Sequence, residues 1–234
     1  MKASTVLKEL RSMGDIEKAK GVARFFKCGK GEYGEGDIFL GVNVPNQRKL
    51  AKKYNTLPLP EIQKLLGSKY HEARLTGLLI LVALFGTAEK KEQKKIYAFY
   101  MRERKRINNW DLVDATTPNI VGTYLLKHLS ERKILYRLVK SKNVWERRMA
   151  ILATFAFLRK NDFHDTLSLA EKLLTDKHDL IHKAVGWMLR EIGKRDRPTL
   201  ETFLDTHISR MPRTTLRYAI EHFSESRRKQ YLKR

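Results

Sequence analysis

A chain of 234 residues with 42% hydrophobic composition can bury a substantial core, as one domain or one continuous array, which excludes a disordered polymer. Lysine and arginine number 48 against 26 acids, a formal charge of +22 that points to a polyanionic partner, most economically nucleic acid. The single cysteine, Cys28, excludes an internal disulfide and a Cys-based zinc site and fits a reducing, cytoplasmic setting.

A membrane surface would also attract such a charge. The sequence offers no uninterrupted apolar span of about 18 residues and no lipidation motif. The start Met1 to Glu9 lacks the apolar centre of a signal peptide.

Residues 2–27 have apolar positions at helical spacing, Leu7 and Leu10, then Ala19, Val22, Ala23 and Phe26, which predicts two short helices broken near Gly14. Residues 28–37 break the regularity with Gly29, Gly31, Gly34 and Gly36. Two readings stand for this loop: packing across the first helices, or a DNA-backbone contact that includes Lys30. No Gly-Lys-Ser/Thr follows, so a nucleotide-binding P-loop is rejected. After Pro45 the pattern is helical almost to the end, with Pro58, Pro60, Pro118, Pro198 and Pro212 at or near helix starts.

The helical part repeats. Aligning Arg74, Asp111, Arg148, Lys183 and Arg217 as one register gives spacings of roughly 34 to 37 residues, typical of helical-pair solenoids. Positions one, two, five, six and nine after each zero share a helix face and are mostly apolar: Met149, Ala150, Ala153, Thr154 and Phe157, then Ala184, Val185, Met188, Leu189 and Ile192. The opposite arc carries Trp110 and Asp114, then Arg148, then Trp187 and Arg190, then Arg213 and Arg217; Ile151 and Leu152 share it. The expected architecture is therefore an all-α, HEAT-like helical-repeat solenoid with a concave basic face, organised as a single domain over 1–234, with N-terminal helices and the glycine-rich loop in 1–45 and repeats in 46–234.

Within that basic surface, Asn109-Trp110-Asp111-Leu112-Val113-Asp114 places a tryptophan and two acids. Asn109 suits an N-cap and Asp111 a first helical turn, where it complements the helix dipole. Asp114 falls in the second turn, where that pull has faded. Its bland alternative is a salt bridge to Arg148, and that of the two tryptophans is ordinary core packing. A tryptophan pair flanking an aspartate suits a cation, such as a purine alkylated at N3 or N7, whose N-glycosidic bond is weakened. Cleavage passes through an oxocarbenium-like sugar that one carboxylate can stabilise while positioning water, with no metal or cofactor. His178 and His182 have the spacing of a helical zinc pair but lack a third ligand and are read as solvated. Tyr97, Phe99 and Tyr100 read as a core face, and residues 226–234 as a charged last helix, with phosphate contact as the alternative.

At these residues the sequence resembles the AlkD family of DNA alkylation-repair glycosylases, built from HEAT-like repeats. The resemblance runs through Asn109–Asp114, Val144–Leu152 and Lys183–Glu191, with Phe39-Leu40-Gly41-Val42, Pro45 and Arg48 matching the family's N-terminal pattern. It implies that Asp114 is the catalytic aspartate, that Trp110 and Trp187 contact the lesion and deoxyribose, and that Arg148 lies near the scissile nucleotide. Arg190 matches a backbone-binding position; Lys183, Arg213, Arg217, Arg48 and Lys30 complete the expected DNA contacts. The implied reaction is release of N3-alkyladenine and N7-alkylguanine from double-stranded DNA without a base-flipping pocket; a repeat array with a basic face needs no partner subunit, so a monomer is the default expectation. Two departures stand out: Phe25 takes the place of a tyrosine that reaches DNA, and the glycine-rich loop is absent from the family's pattern. The rival readings are a non-catalytic helical-repeat module that binds DNA or RNA, and a scaffold for an acidic protein partner.

Overall fold

The computed structural model describes residues 1–233. Its regular structure is helical; the pairing of Ile38 with Tyr70 is an isolated parallel β-bridge. The chain divides into two compact units, Met1–Thr116 and Thr117–Arg234. Among the described residues, no helix is long and apolar enough to cross a membrane.

The first unit holds α1 (Ala3–Ser12), α2 (Ile16–Phe25), α3 (Val44–Lys53), α4 (Leu59–Leu66), α5 (His71–Thr87), α6 (Lys90–Glu103) and α7 (Trp110–Thr117). The break near Gly14 falls where the spacing placed it. Asp15 then caps α2, its carboxylate accepting the Lys18 N–H at 3.1 Å. The centre of the unit is α5. Its run Leu75, Leu78, Leu79, Ile80 and Leu81 is buried with no polar face between, and α1, α3, α4 and α6 pack around it. Buried beside it, the Glu72 carboxylate accepts the backbone N–H groups of Leu40, Gly41 and Val42 at 2.8–3.3 Å. That turn depends on Gly41, whose φ of +82° and contact with the Asp15 carbonyl leave no room for a Cβ.

After Thr117, the last residue of α7, the second unit continues with a π-helical segment, Pro118–Gly122, in place of the ordinary helix start expected at Pro118. Proline lacks the N–H of a regular α-turn and its ring crowds the preceding one, and a wider turn accommodates both. There follow α8 (Thr123–Leu126), α9 (Lys133–Leu138), α10 (Val144–Ala153), α11 (Phe155–Leu158), α12 (His164–Leu173), α13 (Asp179–Gly193), α14 (Arg197–His207), α15 (Arg213–Ala219) and α16 (Glu225–Lys233). Here α13 is central and packs on α10, α11, α12, α14 and α15. The register holds: Met149, Ala150, Ala153, Thr154, Phe157, Ala184, Val185, Met188, Leu189 and Ile192 are all buried. Gly186 lets α15 approach α13, since a Cβ there would stand 2.5 Å from the Tyr218 Cβ and 2.7 Å from the Thr215 carbonyl oxygen.

Candidate functional site

In the first unit the candidate residues sit on α7. Trp110 and Asp114 are one turn apart on this helix and both are half-buried. The ends of α7 are pinned. At the C-terminal end, Thr116 Oγ1 lies 2.8 Å from the Tyr100 hydroxyl of α6 and donates to the Leu112 carbonyl at 2.5 Å. At the other end the Val113 N–H donates to the Asn109 carbonyl, so Asn109 occupies the cap position. Its Oδ1 accepts the Trp110 N–H at 2.8 Å, and its Nδ2 donates to Asp37 at 3.0 Å. Asp111 accepts its neighbour's N–H, from Leu112, and its second oxygen lies 2.8 Å from His71 Nε2. Asp111 thus has a structural part, as its first-turn position suggested, but through His71 as well as the helix end.

Trp110 rests on an aromatic bed. Phe26 lies flat against it, with 5.0 Å between centroids and 9° between planes, and Phe25 meets it edge-on at 5.9 Å. Phe26 is buried in turn against Phe39 and His71, each 5.1 Å away. Phe25 is 67% exposed, so at this position the chain offers solvent a bare aromatic ring where the resembled family has a phenol.

Sequence spacing alone missed the cluster beneath this bed. His71 is 2% exposed, with Nδ1 3.0 Å from Asp37 and Nε2 2.8 Å from Asp111. Asp37 also receives Arg74, a buried ion pair. Burial alone would lower the His71 pKa, but the hydrogen bonds to Asp111 and Asp37 outweigh it and push it from 6.5 up to about 9. Burial would likewise raise the Asp37 value, yet the bonds from His71 and Asn109 and the Arg74 charge hold it below 3.8. Arg74, aligned by register with Arg148, is therefore consumed inside the first unit.

The glycine-rich segment closes on itself. The Gly29 N–H donates to the Glu32 carboxylate and the Gly31 N–H to that of Glu35, each at 2.8 Å, and the Gly34 N–H donates to the Lys27 carbonyl at 3.0 Å. Two carboxylates thus occupy the donors a phosphate would need, and Asp37 ties the end of the segment to α5 and α7. This arrangement favours the packing reading over a backbone cradle for phosphate. Lys30 is exposed within the segment, as is Arg48 on α3.

In the second unit Arg148 lies on α10 and is 5% exposed, and its guanidinium donates to the Leu180 carbonyl at the start of α13. With Ile151 and Leu152 also buried, α10 has no open arc opposite its core face, contrary to the expectation from the register. Trp187 on α13 is half-buried and packs at 49° on Phe155, 5.7 Å away, over which Arg159 places its guanidinium at 4.6 Å. Arg190 is engaged by Glu221, Lys183 pairs with Asp179 at 2.7 Å, and Arg213 donates to the Leu232 carbonyl at 2.8 Å. Arg213 and Arg217 are exposed on α15. The two histidines expected in solvent are half-buried and structural: His178 caps α13 through the Leu180 N–H at 3.2 Å, and His182 Nε2 lies 2.5 Å from the Asp176 carbonyl oxygen.

Comparison with known proteins adds three findings. A family model described as DNA alkylation repair enzyme matches residues 6–223. Among solved structures, a protein described as a predicted DNA alkylation repair enzyme from Enterococcus faecalis is 18% identical, with a TM-score of 0.70, over 91% of this chain and 98% of its own. AlkD2 from Streptococcus mutans is 17% identical, with a TM-score of 0.54, over 95% and 98% of the two chains. These similarities show a shared all-α fold. No curated protein matches the chain in sequence.

Proposed function

We propose, for a chain that belongs to the DNA alkylation repair enzyme family, that it acts as a DNA glycosylase on cationic N3-alkyladenine and N7-alkylguanine in duplex DNA. The observation that carries this reading is the half-buried Asp114 one helical turn beyond the half-buried Trp110, in a chain of formal charge +22. A carboxylate weakens a surface meant only for phosphates, so its place beside an aromatic face calls for a cationic target.

Cleavage of the glycosidic bond leaves positive charge on the deoxyribose. The Asp114 carboxylate stabilises that charge and orients the attacking water, taking its proton as the bond to C1′ forms and the purine leaves with the bonding electrons. The alkylated base, cationic in the ground state, leaves as a neutral purine, so the ring face of Trp110 serves by attracting the cation before cleavage. In the resemblance, Trp187 is the second aromatic contact and Arg148 the basic group near the scissile nucleotide. Arg190, Lys183, Arg213, Arg217, Arg48 and Lys30 are the proposed contacts to the phosphate backbone, and the lesion is processed without a flipping pocket.

The test is to incubate the chain with a duplex containing N7-methylguanine and measure free base, beside Asp114→Asn. Release by the wild type and its loss in the variant are expected. No release by the wild type favours a non-catalytic DNA-binding module; equal release by both removes Asp114 from the catalytic role.

A further inference from the structure

His71 is a buried titratable group with no part in that chemistry, set between two carboxylates at hydrogen-bonding distance. A neutral imidazole has one N–H, so one of the two carboxylates would face a ring lone pair. With both nitrogens protonated, the ring donates to both. The charges inside the cluster then balance: Asp37 and Asp111 against Arg74 and the imidazolium. The Cys28 thiol, also near Asp37, is pushed up by burial and by that carboxylate, and stays neutral.

Both carboxylates of the cluster are tied to the residues that flank Trp110. Asp37 ends the glycine-rich segment and accepts from Asn109, the residue before Trp110; Asp111 is the residue after it. Phe26 fills the space between, touching the His71 ring on one side and stacked on Trp110 on the other. The backbone on both sides of the tryptophan and the ring beneath it therefore share one anchor.

We infer that His71 is a positioning residue: as a doubly protonated ring it fastens the glycine-rich segment to the first turn of α7, fixing Trp110 and, on the same face, Asp114. The consequence for base release rests on the glycosylase reading; the anchoring does not. Loss of the ring proton sets a carboxylate against a lone pair and loosens that turn. The hydrogen bonds that raise the His71 pKa to about 9 keep the ring charged at neutral pH. Sub-ångström to ångström misplacement of a catalytic group is enough to cost about 10- to 100-fold in rate.

The experiment follows the Trp110 indole N–H resonance of the full-length chain from pH 6 to 10, assigned with Trp110→Phe, alongside single-turnover release of N7-methylguanine at pH 6.5 and 8.0. In the wild type the resonance should move through a one-proton transition centred near 9. In His71→Gln that transition should vanish. In Asp37→Asn, which removes one flanking charge while keeping the shape, it should fall by about two pH units. Base release by Asp37→Asn should then be about tenfold below wild type at pH 8.0 and within about threefold of it at pH 6.5, where the ring is recharged. A merely structural loss would be equal at both pH values. A Trp110 resonance that does not move, moves alike in His71→Gln, or keeps its wild-type midpoint in Asp37→Asn overturns the assignment, as does an equal loss of release at both pH values. If His71→Gln fails to fold, Asp37→Asn carries the test. A wild type that releases no base removes the glycosylase reading and leaves the resonance to decide the anchor.

Discussion

Phe26 lies parallel to Trp110 at 5.0 Å, so the face of the tryptophan turned toward the core is already occupied. Any ligand of Trp110 must use its other face or its edge. The stack also makes Phe26 a support whose loss differs from that of Phe25, although the two are neighbours in sequence.

Phe26→Ala should lower stability by about 3 kcal/mol or more, the range for a buried phenylalanine, and reduce base release with it. Phe25→Ala, at an exposed position, should change stability by no more than about 0.5 kcal/mol. Urea unfolding of both variants checks the difference. A large stability loss in Phe25→Ala would contradict the assignment of support to Phe26 alone.

Asp114→Asn should lower the single-turnover rate by about 100-fold or more, as expected for removing a group that acts on developing charge. Its affinity for undamaged duplex should be equal or tighter, because a negative charge leaves a phosphate-binding surface. Fluorescence anisotropy with an unmodified duplex measures the second effect independently of the first.

Stability should depend on pH through His71. Its folded-state pKa is raised from 6.5 to about 9, so its contribution is complete below pH 6.5, declines as pH rises, and is lost above about 9. Asp37 runs the other way: its value is lowered from 3.8, so its contribution is present above that pH and lost as pH falls through its folded value. The urea midpoint of the wild type should fall between pH 6.5 and 9 more steeply than that of His71→Gln. Parallel curves would count against the charged ring.

Gly186→Ala should cost about 1–3 kcal/mol, the usual penalty for overpacking, because the new methyl meets Tyr218 and the Thr215 backbone on α15. Thermal unfolding measures it. An unchanged midpoint would mean that the two helices can separate without loss.

Exposed arginines should carry the salt dependence of duplex binding. Arg48→Gln and Arg217→Gln should each flatten the slope of log affinity against log salt by roughly 0.9, the value for one released counterion. A wild-type slope near zero would instead point away from DNA.

The sequence carried the helical class, the break near Gly14 and the buried positions of α10 and α13, because these follow from local periodicity and punctuation. It also separated Asp111 from Asp114 by helix position, and the hydrogen bonds of Asp111 agree with a structural part. The His71 cluster was not legible. His71 and Asp37 stand 34 residues apart, and Asp111 40 residues beyond His71; no motif links them, and charged pairs at such range depend on tertiary packing. Arg74 and Arg148 share a repeat register yet differ in partner, since one meets Asp37 and the other the Leu180 carbonyl. Periodicity reports which way a side chain leaves its helix, but not what covers it.

Cys28 is the chain's single thiol, half-buried and held neutral by burial and by the Asp37 carboxylate. Electrophiles attack the thiolate far faster than the thiol. The methylating agents that create cationic purines therefore meet, in this chain, a sulfur that is both shaded and protonated. At neutral pH the chain thus offers soft electrophiles a partly shaded thiol, less nucleophilic than an exposed one.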